Sequence, residues 1–216
     1  MAGLNLRHVI ENLDRIFHHE ADFQHALAWH LHQEYPEARL RLERRFAGSD
    51  FPGSTDDVYI DIWIEIDGET IPVELKYKPD ALEGKWGDES FDLRRHSAQD
   101  VSRFDFIDDI ARIETLVQAS ECERGVVILL TNDHLYWQEP TRDDVVDYEF
   151  RLTDGKTLEG TLTWAEDVGA GTVGNKRDRT LSLDGAYELD WERYEYEIPS
   201  DPEGSAEFRY LLLNIE

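Results

Sequence analysis

Cysteine is nearly missing from this chain: Cys122 is the only one in 216 residues. That excludes a disulfide framework and a zinc site built from cysteines. Lysine is scarce as well, with five against 17 arginines. No run approaches the roughly 18 consecutive apolar residues of a membrane span. The opening MAGLNLRHVIENLDRIF has amphipathic spacing with acidic residues, unlike the basic start and short apolar stretch of a secretory signal. These absences lead us to expect a cytoplasmic protein without a membrane partner. What is present is material for a core: 40% apolar residues, among them six Trp, nine Tyr and nine Phe. A chain of this length suffices for one well-packed core and is short for two large domains.

Charge of one sign dominates. Forty-eight Asp and Glu face 22 Lys and Arg, for a formal net charge of −26 at pH 7. Taken alone, that argues against nucleic acid, because phosphate binding draws on Lys and Arg. Acidity spread over the whole chain, with lysine depleted, instead suggests a halophilic protein. At about 1 M salt the Debye length falls to about 3 Å and self-repulsion is screened. Local charge is then the better guide, and Lys76, Lys78 and Lys85 lie within ten residues of each other.

The segment Tyr59 to Lys78 alternates with period two on both sides of Asp67-Gly68, a strong signal for a two-residue hairpin turn. If Ile66 pairs with Glu69, the register sets Asp61 opposite Glu74 on a non-bonded rung, where Cα atoms approach to about 4.5 Å. Like charges so placed repel. A hard divalent cation such as Mg²⁺ would offset the repulsion, since it takes oxygen ligands and few carboxylates. An ordinary hairpin with a solvated polar face, Lys76 neutralising Glu74 diagonally, fits these two strands equally.

Around the hairpin the spacing predicts a helix over residues 5–17 and another over 20–34. Glu20 stands at the head of the second helix's apolar stripe. It is either a first-turn acid favoured by the helix dipole or a third acid reaching the same cation. ARLRLERRF reads as a strand. Residues 78–96 lack periodicity and read as a binding loop or plain surface. A helix over 97–119 carries Gln99 and Arg103 at the polar end of its stripe, aimed at a site or merely capping. GVVILLTND reads as a strand buried on both faces. From about 141 the pattern is all-β, with DYEFRLTDGKTLEGTLTW as a second Asp-Gly hairpin and AYELDWERYEYEI and EFRYLLLNI as further strands. GAGTVGNK lacks the adjacent Gly-Lys of a phosphate loop and reads as surface, and the histidines at 18, 19, 25, 30 and 32 lack zincin spacing.

A helix acid, a strand Asp, then Glu74-Leu75-Lys76 on the paired strand, a helix bearing Gln99 and a buried strand together resemble the PD-(D/E)XK nuclease superfamily over roughly residues 20–133. The proline of the motif name is absent, Ile60 preceding Asp61. The resemblance implies an α/β fold, a restriction-endonuclease-like mixed sheet flanked by helices. Residues 1–140 would form the nuclease-like core and 141–216 a β-rich extension or subdomain. It implies Mg²⁺-dependent phosphodiester hydrolysis in nucleic acid, DNA more than RNA, with Mn²⁺ as substitute. Asp61, Glu74 and Glu20 would hold the metal, Lys76 would assist the attacking water, and Gln99 would position Lys76 or the water. Lys78, Arg94, Arg95 and Arg103 are candidate phosphate contacts. Cutting both strands of a duplex would call for two sites, hence a homodimer. A non-catalytic nucleic-acid-binding module and an acidic protein-interaction module stand as alternatives.

Overall fold

The computed structural model describes residues 3–51, 56–142, 144–174, 177–198 and 200–216. Its elements in chain order are α1 (Leu6–Glu11), α2 (Glu20–Glu34), β1 (Arg39–Phe46), β2 (Val58–Ile66), β3 (Glu69–Tyr77), β4 (Leu82–Trp86), β5 (Glu89–Leu93), α3 (Gln99–Gln118), β6 (Gly125–Thr131), β7 (Thr157–Leu162), α4 (Ala170–Val173), β8 (Leu181–Glu188), β9 (Trp191–Tyr194), β10 (Ser200–Gly204) and β11 (Phe208–Ile215).

Six strands form a mixed sheet in the order β1-β2-β3-β6-β11-β9. Only β3 and β6 run parallel, joined through the long α3 crossover, and the other neighbours are antiparallel. Period-two alternation sends Ile62, Ile64, Val73, Leu75 and Ile128 to one face against α1 and α2. Trp63, Val127, Leu129, Leu211 and Leu213 go to the other, against α3, β7 and β8. Every residue of β6 is buried, as a central parallel strand covered on both faces requires. The chain is thus a mixed α/β protein.

Pro72 sits opposite Trp63 in β3, and the parallel pairing with β6 begins only one residue later, at Val73. Its missing N–H therefore interrupts neither ladder. Gly125 opens β6 against that proline. A Cβ there would lie 2.3 Å from Ile113 Cγ2 and 3.2 Å from Pro72 Cγ, so the close approach of α3 to this corner depends on glycine.

Several expectations are corrected. The first helix stops at Glu11, because Asn12 turns its backbone and side-chain N–H groups onto His8 O. Leu13, Ile16 and Phe17 are still buried, from an irregular segment. Residues 78–96 contain the β4–β5 hairpin, turned at Gly87-Asp88 and extended by β10 into a three-stranded sheet. No hairpin folds about Asp154-Gly155. Phe150 and Leu152 are fully buried without a strand partner, while Gly155 donates to Leu189 O and β7 pairs with β8. AYELDWERYEYEI breaks at Leu189-Asp190 into β8 and β9, which join different sheets. Residues beyond 141 thus divide: β9 and β11 extend the main sheet, β10 joins β4–β5, and β7–β8 stands apart. GAGTVGNK contains the single turn α4, and its Asn175 and Lys176 lie outside the described residues.

Candidate functional site

The hairpin register is the expected one from Ile66↔Glu69 to Ile62↔Val73, and there the ladder stops. Beyond it β2 follows β1 and β3 follows β6, so the two strands part at Asp61 and Glu74. The pairing of β1 with β2 also skips this level. It passes from Leu42↔Ile62 to Arg44↔Ile60, with Glu43 at φ 53°. A left-handed residue in a strand kinks it, as a bulge does.

Parting strands leave backbone donors bare. On β3 the N–H groups of Leu75 and Tyr77 point into the gap, and two acids satisfy them. Asp61 Oδ2 accepts from Leu75 N at 2.6 Å, and Glu20 Oε2 accepts from Tyr77 N at 2.8 Å. Gln24 of α2 locks the kink from behind, donating to Asp61 O and Glu43 Oε1, each at 2.8 Å. Glu20 from α2 and Asp61 from β2 are therefore brought to one edge of β3.

Glu74 and Lys76 project towards α3, where they meet residues the sequence reading missed. Lys76 Nζ lies 2.5 Å from Asp109 Oδ2, and Arg112 Nη1 lies 2.5 Å from Glu74 Oε1 and 2.8 Å from Asp109 Oδ1. Glu74 and Asp109 are 1% and 2% exposed, and Asp61 is half-buried. Asp109 Oδ2 is buried and lacks an aligned hydrogen bond, despite the nearby ammonium. A signal for Asp109 existed: it sits three residues after Phe106 and four before Ile113, inside the apolar stripe of α3.

Three carboxylates face two cations in this cluster. Burial pushes Asp61 up to about 6; Lys76 and the Leu75 N–H pull it back, and Asp109 adds to the rise. Burial and the neighbouring Asp109 likewise raise Glu74 well above the ordinary carboxylate range, against the pull of Arg112. Burial raises both Asp61 and Glu74, and each carboxylate adds to the cost of ionising the crowded acids, which favours a proton or a cation among them. Burial disfavours the Lys76 ammonium, but Asp109, Glu74, Glu20 and Asp61 outweigh it and hold its pKa above the ordinary lysine range. Its acid neighbours thus favour the charged form of Lys76.

Compared with family models, curated proteins and solved structures, the chain matches none. The remaining candidates are spread. Gln99 donates to Asp133 Oδ2 at 2.8 Å. It lies about 15 Å along α3 from Asp109, at 1.5 Å per residue, so Asp109 takes the place by Lys76 expected for Gln99. Arg103 is corrected outright: it is 2% exposed, paired with Asp147 Oδ2 at 2.6 Å and donating to Leu135 O, so no phosphate reaches it. Lys78 Nζ stands 3.5 Å from Glu20, Arg95 is exposed but paired with Asp80 at 2.6 Å, and Arg94 is exposed.

Among the described residues, no group of three or more His, Cys, Asp or Glu side chains is arranged to hold a metal ion. The donor chemistry nevertheless suits a hard divalent ion. Asp61, Glu74 and Asp109 offer oxygen only, one oxygen is buried without an aligned donor, and burial makes the ionised acids costly without a cation.

Proposed function

We propose that the chain is a divalent-metal-dependent phosphodiesterase acting on nucleic acid, DNA before RNA, on a restriction-endonuclease-like scaffold of the PD-(D/E)XK kind. The observation that carries this reading is the gathering of Asp61, Glu74 and Lys76 where β2 and β3 part. Asp61 and Glu74, with Asp109 beside them, would hold Mg²⁺ or Mn²⁺. The ion, when bound, supplies Lewis acidity and a more acidic water. Lys76 serves as a fixed positive charge for the phosphate oxygens rather than as a base, since its acid neighbours keep it protonated. Stabilisation of this kind, aimed at developing charge, is worth about two to three orders of magnitude in rate. Glu20 holds the Tyr77 N–H and the end of β3 in place, and Arg112 anchors Glu74.

A second reading has its own support. Arg112 on Glu74 and Lys76 on Asp109 close the cluster with the protein's own cations, as a non-catalytic nucleic-acid-binding or acidic interaction module would. A cleavage assay in molar KCl with Mg²⁺ or Mn²⁺, on linear, supercoiled and branched DNA, separates the two. The proposal expects metal-dependent cleavage, lost in Asp61→Asn and reduced at least about 100-fold in Lys76→Ala. Wild-type protein that binds DNA yet never cuts it, with either metal, supports the second reading.

A further inference from the structure

Basic charge is distributed unevenly in this acidic chain. Four of its 17 arginines fall within the eight residues of β1, at 39, 41, 44 and 45. β1 is the outermost strand of the main sheet, and its far edge has no strand partner among the described residues. Arg39 and Arg41 stand opposite Glu65 and Trp63, and directly opposed residues share a face. Simple alternation would send Arg44 to the other face. The left-handed Glu43 breaks the alternation, and Arg44 lands over the Trp63 ring at 3.7 Å, on the same face as Arg41. That is also the face of Glu74 and Lys76, and the kinked level is the level of Asp61. α3 packs over β3, β6 and β11, and Arg39 and Arg41 are exposed.

Of the other exposed arginines, Arg45 in the same strand is neutralised by Asp57, Arg95 by Asp80 and Arg193 by Glu195, while Arg94 has no carboxylate within ion-pair distance among the described residues. Among the described residues, Arg39, Arg41 and Arg44 have no carboxylate within ion-pair distance, although Glu65 lies opposite Arg39 in register. Charges on an edge strand also guard against edge-to-edge aggregation. Guarding requires neither a common face nor a guanidinium stacked on tryptophan.

We infer that Arg39, Arg41 and Arg44 form the track along which the sugar–phosphate backbone of a nucleic acid lies, leading it to the level of Asp61, where β2 and β3 part. The inference rests on the reading of the chain as a nuclease and adds where its substrate sits. Arginine suits contact in strong brine. Its planar fork hydrogen-bonds phosphate in two places and sheds water more readily than an ammonium. At a Debye length of about 3 Å the long-range repulsion between a −26 protein and DNA is suppressed, while contacts at hydrogen-bond distance persist.

The test is the salt dependence of binding to a short labelled DNA duplex, without divalent metal, over a KCl series. Each lost phosphate contact flattens the plot of log K against log [KCl] by about 0.9. The triple variant Arg39→Gln/Arg41→Gln/Arg44→Gln is expected to be flatter than wild type by about 2 to 3. Arg39→Gln/Arg41→Gln, which spares the Trp63 stack and hence the fold, should be flatter by about 2. Arg193→Gln on the opposite edge of the sheet should match wild type. A wild type that binds and cleaves DNA, with the same slope in the double variant, overturns the track and leaves the nuclease reading standing. A wild type that neither binds nor cleaves at any KCl concentration overturns both.

Discussion

Two buried charge clusters lie against α3, and they are built to opposite accounts. At its N-terminal end Arg103 and Arg151 enclose a single acid, Asp147, whose two oxygens are both taken: Oδ2 by Arg103 at 2.6 Å and Oδ1 by Arg151 at 2.9 Å. At mid-helix three carboxylates share two cations, and burial holds both Asp61 and Glu74 above the ordinary carboxylate range. Buried ions persist when they are paired and hydrogen-bonded. The first cluster satisfies its one acid and carries a cation in excess, with Arg103 Nε left without a hydrogen-bond partner. The second is short of one positive charge, and the proposed metal site rests on that shortfall.

The comparison breaks most visibly at Asp147. Asp147→Ala leaves Arg103 buried without its partner, and truncating one member of a buried pair costs about 3–5 kcal/mol. Denaturant unfolding in molar KCl should show that loss, with or without divalent metal. Asp61→Asn should behave in the opposite way, since it removes one of the crowded acids. Its metal-free stability is expected to equal or exceed that of wild type, and a loss matching Asp147→Ala would make the two clusters alike.

The sharpest probe of the missing charge is the charge itself. An ion that binds the folded state alone stabilises it by about 2.7 kcal/mol at one hundred times its Kd. For a chain of this size that is a rise in Tm of about 5–10 °C. We expect Mg²⁺ or Mn²⁺, added at constant ionic strength in KCl, to raise the Tm of wild type and to leave Asp61→Asn unmoved. Equal shifts in the two proteins would assign the effect to the acidic surface, and the mid-helix cluster would then be closed by its own cations.

Much of this contrast was legible before any fold was known, and the rest was hidden for physical reasons. Asp67-Gly68 fixes a two-residue turn, so the register that carries Asp61 towards Glu74 is written in local sequence. Helix spacing places Glu20 at the start of α2 and bounds α3 closely. The parting of the strands is not local: it needs β1, β2, β3 and β6 together, and the left-handed Glu43 carries no glycine to announce it. Asp109 and Arg112 were passed over because the stripe of α3 was read for its apolar members. Arg103 misled for the reverse reason, since a polar residue at the end of a stripe can face another buried ion as well as a ligand. The β4–β5 hairpin had its own turn signal in Gly87-Asp88, and the false hairpin at Asp154-Gly155 shows that alternation also arises where coil packs against a helix.

The smallest expected effect is on pH. Asp61 is an acid whose pKa rises on folding, from an ordinary 3.8 to about 6, with burial the largest cause. A raised acid favours the fold while it is protonated. Its contribution is fully present below pH of about 4 and is lost as pH climbs through about 6. Glu74 shifts in the same direction. Metal-free wild type should therefore lose on the order of 2 kcal/mol between those limits, from the Asp61 shift alone, relative to Asp61→Asn measured over the same range. A bound divalent ion replaces the proton, so adding Mg²⁺ should flatten the pH dependence of wild type towards that of Asp61→Asn. If the two proteins run parallel without metal, Asp61 and Glu74 are not competing for a proton, and the site has no vacancy of charge for an ion to fill.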